Sequence, residues 1–365
     1  MQFKEKEKSK TQCFNKKVAL LTFHHSFNYG AVCQTYATCR ALQRLGYDVE
    51  IIDLRIVEKY SLVQRLFGIG RMFKFWYFRY RYYPQFTKRY YNTIELKKSP
   101  PQADIYMVGS DQTWNPLITK DLLDAFLLKF GGAHIVRIAF SVSFGEYSWI
   151  YRDEEALNNI KNSVGEFSQI SVREEDMVSL CNNLFNLKVD KTLDPTLLGT
   201  DFLELTGPIV GKHTLVSYKF FMDTSYCDCL KTIANMYGKK IELLGKLRPV
   251  QKMPYTYPQG VIGWIREIAA ADIVFTDSFH GVALSILYKK NFIAFIGNPL
   301  RSGRIKNLLR DLELEDRLYE KSTYELEDIV KLCELPINYE KVDLKLNDLR
   351  TKSLDILARI GFYNK

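Results

Sequence analysis

The sequence has no run approaching the ~18 consecutive apolar residues of a membrane span, which argues against an integral membrane protein. Its N-terminus is charged and polar up to Lys17 and lacks an apolar h-region, so no secretory signal is expected. Cysteine is sparse: there are seven, an odd number without repeating spacing, which excludes a disulfide framework. Cys227 and Cys229 form a C-x-C pair without the second pair that a zinc site needs, so no metal is expected. A reducing cytoplasm fits this usage. The Gly-x-Gly-x-x-Gly fingerprint is missing from any strand-to-helix context, which disfavours a Rossmann dehydrogenase. Solenoid repeats and low-complexity tracts are also absent.

What is present describes a globular protein with a substantial core: 365 residues, 47% of them apolar, with a net charge of +9. The length suits two domains. The charge favours anionic partners, whether small molecules, nucleic acid or an acidic membrane. The segment 61–91 stands apart, having seven basic residues, no acidic one and dense aromatics. No nucleic-acid-binding motif accompanies it, so we expect no nucleic-acid partner. Peripheral contact with an anionic membrane is the alternative to ordinary connecting helices, and would place the protein at the inner face of the plasma membrane.

Apolar periodicity gives a strand at 18–23, a helix at 29–45 and a strand at 49–53, then strands at 105–108, 136–141 and 169–172 interleaved with helices. The pattern breaks near 199–211 and restarts with strands at 213–219, 240–244, 272–276 and 292–296. This alternation predicts an α/β fold of two Rossmann-like domains facing across a cleft. The expected division is a disordered leader at 1–16, an N-terminal domain at 17–205 and a C-terminal domain at 206–338. An amphipathic helix at 339–365 would pack back across both.

Chemistry in such folds sits at the carboxyl ends of strands. One strand runs into the turn at 277–281, where Ser278 is placed to cap a helix and His280 and Gly281 stand at the junction. A helix start favours anions, and a histidine adds a proton donor or acceptor. The loop beginning His24-His25-Ser26-Phe27-Asn28 is a second polar rim. The loop Gly109-Ser110-Asp111-Gln112-Thr113-Trp114-Asn115 offers a carboxylate, amides and an indole suited to a sugar ring. Arg173 can bind an anion or pair with a neighbouring acid, and Arg301 and Arg304 can clamp carboxylate or phosphate. Asp194-Pro195-Thr196 reads as a structural turn.

Together these segments resemble the polysaccharide pyruvyl transferase family, over about 17–318. The resemblance rests on Asn28-Tyr29-Gly30-Ala31 with Gln34 and Ala37, on Gly109-Ser110-Asp111-Gln112-x-Trp114-Asn115, and on Ser143-Phe144-Gly145. Ser171-Val172-Arg173-Glu174, Asp194-Pro195-Thr196 and Thr276-Asp277-Ser278-Phe279-His280-Gly281 complete it. It implies a GT-B-like fold, phosphoenolpyruvate as donor, a glycan or lipid-linked oligosaccharide as acceptor, and no cofactor. The family's better-known ketal-forming members carry arginine two positions before the histidine. Here that position is Ser278, so Arg304 or Arg173 would have to supply the cation.

On this resemblance, His280 transfers a proton or contacts phosphate and Asp111 activates the hydroxyl. Ser278, Gly281, Arg173, Arg301 and Arg304 hold the donor, while Asn28, Tyr29, Gly30, Ser110, Gln112 and Trp114 face the acceptor. A GT-B-type nucleotide-sugar glycosyltransferase and a non-catalytic glycan-binding relative are the competing readings.

Overall fold

A computed structural model describes residues 16–55, 62–145, 150, 152–199, 201–296 and 302–364. The expected leader lies almost wholly outside them, as does Arg301. The first seven strands are β1 (Lys17–Leu21), β2 (Asp48–Leu54), β3 (Gln85–Tyr90), β4 (Ile105–Val108), β5 (Val136–Val142), β6 (Gln169–Val172) and β7 (Asp190–Lys191). They form one parallel sheet in the order β3-β2-β1-β4-β5-β6-β7. A second parallel sheet contains β8 (Thr214–Tyr218), β9 (Lys240–Leu243), β10 (Ile273–Thr276), β11 (Asn291–Phe295) and β12 (Leu318–Tyr319), ordered β12-β11-β10-β8-β9. Central strands such as β4 and β5 are buried along their whole length because helices cover both faces.

The strand order reverses between β1 and β4 in one sheet and between β8 and β10 in the other. Such reversals open crevices beyond the carboxyl ends, and both sets of loops meet in one cleft. One apolar cluster joins the two halves, containing Val18, Leu20 and Ile138 with Val216, Val274 and Phe292. Tyr29 is its clasp: the ring stacks on Trp264 at 4.9 Å and the hydroxyl donates to the Gln259 carbonyl at 2.7 Å. The helix Tyr339–Arg359 returns to the first sheet, where Ser353 Oγ accepts from Leu193 N at 3.0 Å and the Ile356 carbonyl accepts from Gln169 Nε2 at 3.1 Å.

The basic aromatic segment, expected either to contact a membrane surface or to form ordinary connecting helices, is not purely helical. Its helix, Leu62–Tyr82, is followed by the edge strand β3. Several of its cations turn inward as ties between loops. Arg71 donates to the Phe27 carbonyl, Arg79 to the His25 carbonyl and Lys74 to the Pro258 carbonyl. The outward face is instead aromatic and aliphatic, with Ile69, Phe73, Trp76, Tyr77 and Tyr80 exposed. No helix among the described residues is long and apolar enough to cross a membrane.

Candidate functional site

Five side chains from separate strand ends converge where the halves meet. Asp111 follows β4 with φ of +84°, in the left-handed region that a non-glycine residue rarely occupies. Its carbonyl fixes that conformation by accepting from Thr113 N at 2.8 Å and Ser143 N at 3.0 Å. Arg173 follows β6, and its Nη1 donates to Asp194 Oδ2 at 2.6 Å while Nε donates to Glu174 Oε1 at 3.2 Å. Asp194 Oδ1 caps the turn after β7 by accepting from Thr196 N and Oγ1, and its Oδ2 also accepts from Ser110 Oγ at 3.1 Å. From the second half come His280, in the first turn of the helix Phe279–Leu287, and Arg304, in that of Gly303–Asp311.

These groups cross the boundary directly. His280 Nε2 lies 3.8 Å from Asp194 Oδ2, and Arg304 Nη1 lies 3.6 Å from Asp111 Oδ1. Arg173 Nη2 approaches the same Asp111 oxygen at 3.8 Å. Among the described residues, His280 Nε2 and Arg173 Nη2 are buried without a hydrogen-bond partner. Leaving such atoms unsatisfied is costly, which marks them as groups awaiting a ligand. On its other edge the imidazole presses on the main chain of Gly30, where a Cβ would stand 2.0 Å from Nδ1. The cleft above them has a volume of about 790 Å³ and is lined by His25, Asn28, Asp111 and Gln112 from one half and by Asp277, Ser278, His280 and Arg304 from the other.

Burial lowers the His280 pKa and keeps the ring neutral, with Asp194 and Asp111 opposing the shift and Arg173 and Arg304 assisting it. Asp194 is also buried, which works against its charge, but His280, Arg173 and the Thr196 bonds hold its pKa down at about 2. His25 is pushed down to about 3 by burial and then by Arg79 and Arg55. Below the ordinary histidine value near 6.5, the unfolded chain binds protons that the folded chain refuses. The stability contributed by neutral His25 and His280 is therefore complete above that pH and declines below it. For a buried histidine the slope is at most about 1.4 kcal/mol per pH unit, and only between its unfolded and folded pKa values; it is smaller for His25, which is partly exposed. Urea titrations from pH 7 to pH 4.5 should show this decline, and a flat profile would contradict the neutral assignment.

Several residues expected to face substrate do not. Trp114 is fully buried: its indole N–H donates to the Phe126 carbonyl at 3.1 Å and its ring packs edge-on to Phe144 and Phe167. It is a core residue and cannot stack on a sugar. Tyr29 is spent on the inter-domain clasp, Ser110 is fully buried against Asp194, and Gly30 serves as the seat of the imidazole. Asn28 and Gln112 do line the cleft, although Asn28 Oδ1 caps its helix and Gln112 Oε1 accepts from Asn115. Ser278 lines the cleft but makes no side-chain cap; Thr276 Oγ1 accepts from Ser278 N instead. Gly281 is a packing position, because a Cβ there would lie 2.2 Å from Thr276 Oγ1.

Asp194 is the residue that sequence reading underrated. Its capping role is real, but one carboxylate oxygen suffices for it. The other organises Arg173, Ser110 and His280. No sequence signal announced this, because the strand before it, β7, is only two residues long.

The sequence matches the family described as polysaccharide pyruvyl transferase over residues 28–299. No curated protein matches it. Among solved structures, the chain is similar to UDP-GlcNAc 2-epimerase from Neisseria meningitidis bound to UDP-GlcNAc, with a TM-score of 0.56 and 12% identity over 94% of this chain and 99% of that one. The same enzyme from Methanocaldococcus jannaschii gives a TM-score of 0.51 at 13% identity, covering 88% and 92% of the two chains. An S. aureus MnaA–UDP structure also gives 0.51, at 10% identity over 91% of each chain. At these identities the likeness concerns the fold, two Rossmann-like domains facing in the GT-B manner.

Proposed function

The chain belongs to the polysaccharide pyruvyl transferase family, and from this premise we propose that it transfers the pyruvyl group of phosphoenolpyruvate to two hydroxyls of a glycan sugar, forming a ketal. The observation that carries the reading is the meeting of His280, Arg173 and Arg304 with Asp111 and Asp194 across the cleft.

The chemistry requires a proton on the vinyl carbon, addition of a hydroxyl to the resulting cationic carbon, loss of phosphate and closure by a second hydroxyl. The protonated methylene becomes the methyl group, and each hydroxyl gives up its proton as its C–O bond forms. His280 is the proton carrier. Burial keeps it neutral in the free protein, but a donor bearing carboxylate and phosphate would bring negative charge to its side and favour the imidazolium. Asp111, at the cleft wall, receives the hydroxyl proton. Arg304, Arg173 Nη2 and the amino end of the helix Phe279–Leu287 draw the anionic groups, replacing the arginine that Ser278 lacks.

Phosphoenolpyruvate should raise the melting temperature and be bound with proton uptake, seen in calorimetry as a heat that depends on the buffer. UDP-sugars should do neither. Stabilisation by UDP-sugars alone would favour the glycosyltransferase reading.

The exposed ridge of Ile69, Phe73, Trp76, Tyr77 and Tyr80 supports a second element of the proposal, docking on an anionic membrane that carries a lipid-linked acceptor. Tryptophan and tyrosine favour the membrane interface, and exposed Arg81, Lys88 and Arg89 with the net charge of +9 supply attraction. The protein should float with phosphatidylglycerol vesicles and lose that binding in a Trp76→Ser/Tyr80→Ser variant. Equal flotation of the two proteins would remove the ridge from any membrane role.

A further inference from the structure

We propose that Asp277, Phe220 and Phe221 form the subsite for the acceptor sugar, on the second domain's side of the cleft; the assignment of this ligand as an acceptor rests on the pyruvyl-transfer reading. Asp277 follows β10, and its side chain is only 1% exposed. Its Oδ1 accepts from Phe220 N at 2.8 Å. Its Oδ2 has no hydrogen-bond partner among the described residues, although Lys219 Nζ stands 3.7 Å away. That lysine is itself held over the rings of Tyr226, Phe295 and Tyr324, at 4.8, 5.4 and 5.8 Å. A buried acceptor at the cleft wall calls for a hydroxyl or N–H donor from a ligand.

The wall beside it is apolar. Phe220 and Phe221 line the cleft and are 52% and 63% exposed; Phe220 rests one side of its ring on Tyr218 at 5.6 Å and both rings keep an open apolar face. A ligand offering hydroxyl donors together with an apolar C–H face fits both features, and a sugar ring has both. Lys219 and Lys246 offset the charge of Asp277, so it is the guanidinium pair Arg173 and Arg304 beside His280 that draws the anionic donor, leaving the hydroxyl-bearing sugar to Asp277. This arrangement also supplies the sugar-facing surface that buried Trp114, Tyr29 and Ser110 cannot provide.

The test is saturation-transfer NMR on the full-length protein with methyl α-glucopyranoside, methyl α-galactopyranoside and methyl α-mannopyranoside. The wild type should transfer saturation to at least one of them. Phe221→Ala and Asp277→Asn should each weaken that binding by about 5-fold or more. Phe221 is exposed, so its variant keeps the test valid if Asp277→Asn leaves buried Lys219 without a counter-charge and unfolds. Equal binding by the wild type and Phe221→Ala, or no transfer to any of the three sugars, would overturn the assignment. The donor is followed separately: stabilisation by phosphoenolpyruvate with no sugar binding rejects the subsite alone, whereas sugar binding without an effect of phosphoenolpyruvate rejects pyruvyl transfer and leaves the subsite standing.

Discussion

Gly30→Ala should lower turnover about as far as His280→Ala, by about 10²–10⁴-fold, the range for loss of a positioned proton-transfer group. Alanine is ordinarily the better helix residue by about 1 kcal/mol, so helix propensity alone would make this change harmless. The site reverses that expectation. A Cβ at position 30 would stand 2.0 Å from Nδ1, 2.4 Å from Cγ and 2.7 Å from Cε1 of His280, and the ring would have to leave its place. The imidazole is held between Gly30 and the Asp194–Arg173 pair, so its displacement separates it from both the acid network and the cleft. The measurement is steady-state turnover beside circular dichroism, with both variants expected to fold. Near wild-type turnover in Gly30→Ala would show that the chemistry tolerates a misplaced imidazole and would remove His280 from the mechanism.

Arg173→Ala should be the most destabilising single change in the site, at about 3–5 kcal/mol, because it removes one partner of a buried ion-pair network. The guanidinium engages Asp194 and Glu174, whose side chains are 0% and 2% exposed, and it lies 4.8 Å over the Phe279 ring. Without it, two carboxylates are left in a dry environment with no neutralising charge between them. Urea denaturation should show the loss, and a double variant with Asp194→Asn should recover part of it, since one stranded charge has then gone. Equal stability of the single and double variants would mean that Arg173 acts through packing on Phe279 rather than through charge.

The parallel α/β organisation was legible because its central strands are short β-branched and apolar runs that end in polar turns, as at 273–276 before Asp277. Three edge strands were not. β7 and β12 are two residues long, and β3 is polar and mostly exposed, so no apolar alternation announces them. The rims of the cleft were found from the rule that ligands lie beyond strand ends, and Asp111, His280 and Arg304 do line one cleft. What each side chain does there depended on contacts remote in sequence. Trp114 beside two amides looks like a sugar platform, but Phe144 and Phe167 enclose it. Tyr29 and Gly30 adjoin a polar rim, yet Trp264 claims one and His280 the other. Asp194 had an adequate local explanation as a cap, and only the fold shows its second oxygen facing His280. The inward turn of Arg71, Lys74 and Arg79 was hidden for the same reason, since composition reports charge without direction.

The central claim is that the imidazole and guanidinium groups at the domain junction build a pyruvate ketal on a cell-surface glycan. Mass spectrometry of that glycan, from producing cells carrying the wild-type protein, no protein, or His280→Ala, tests it most directly. The account predicts a carboxyethylidene group only with the wild type. An identical glycan in all three, or a ketal that persists with His280→Ala, would contradict it.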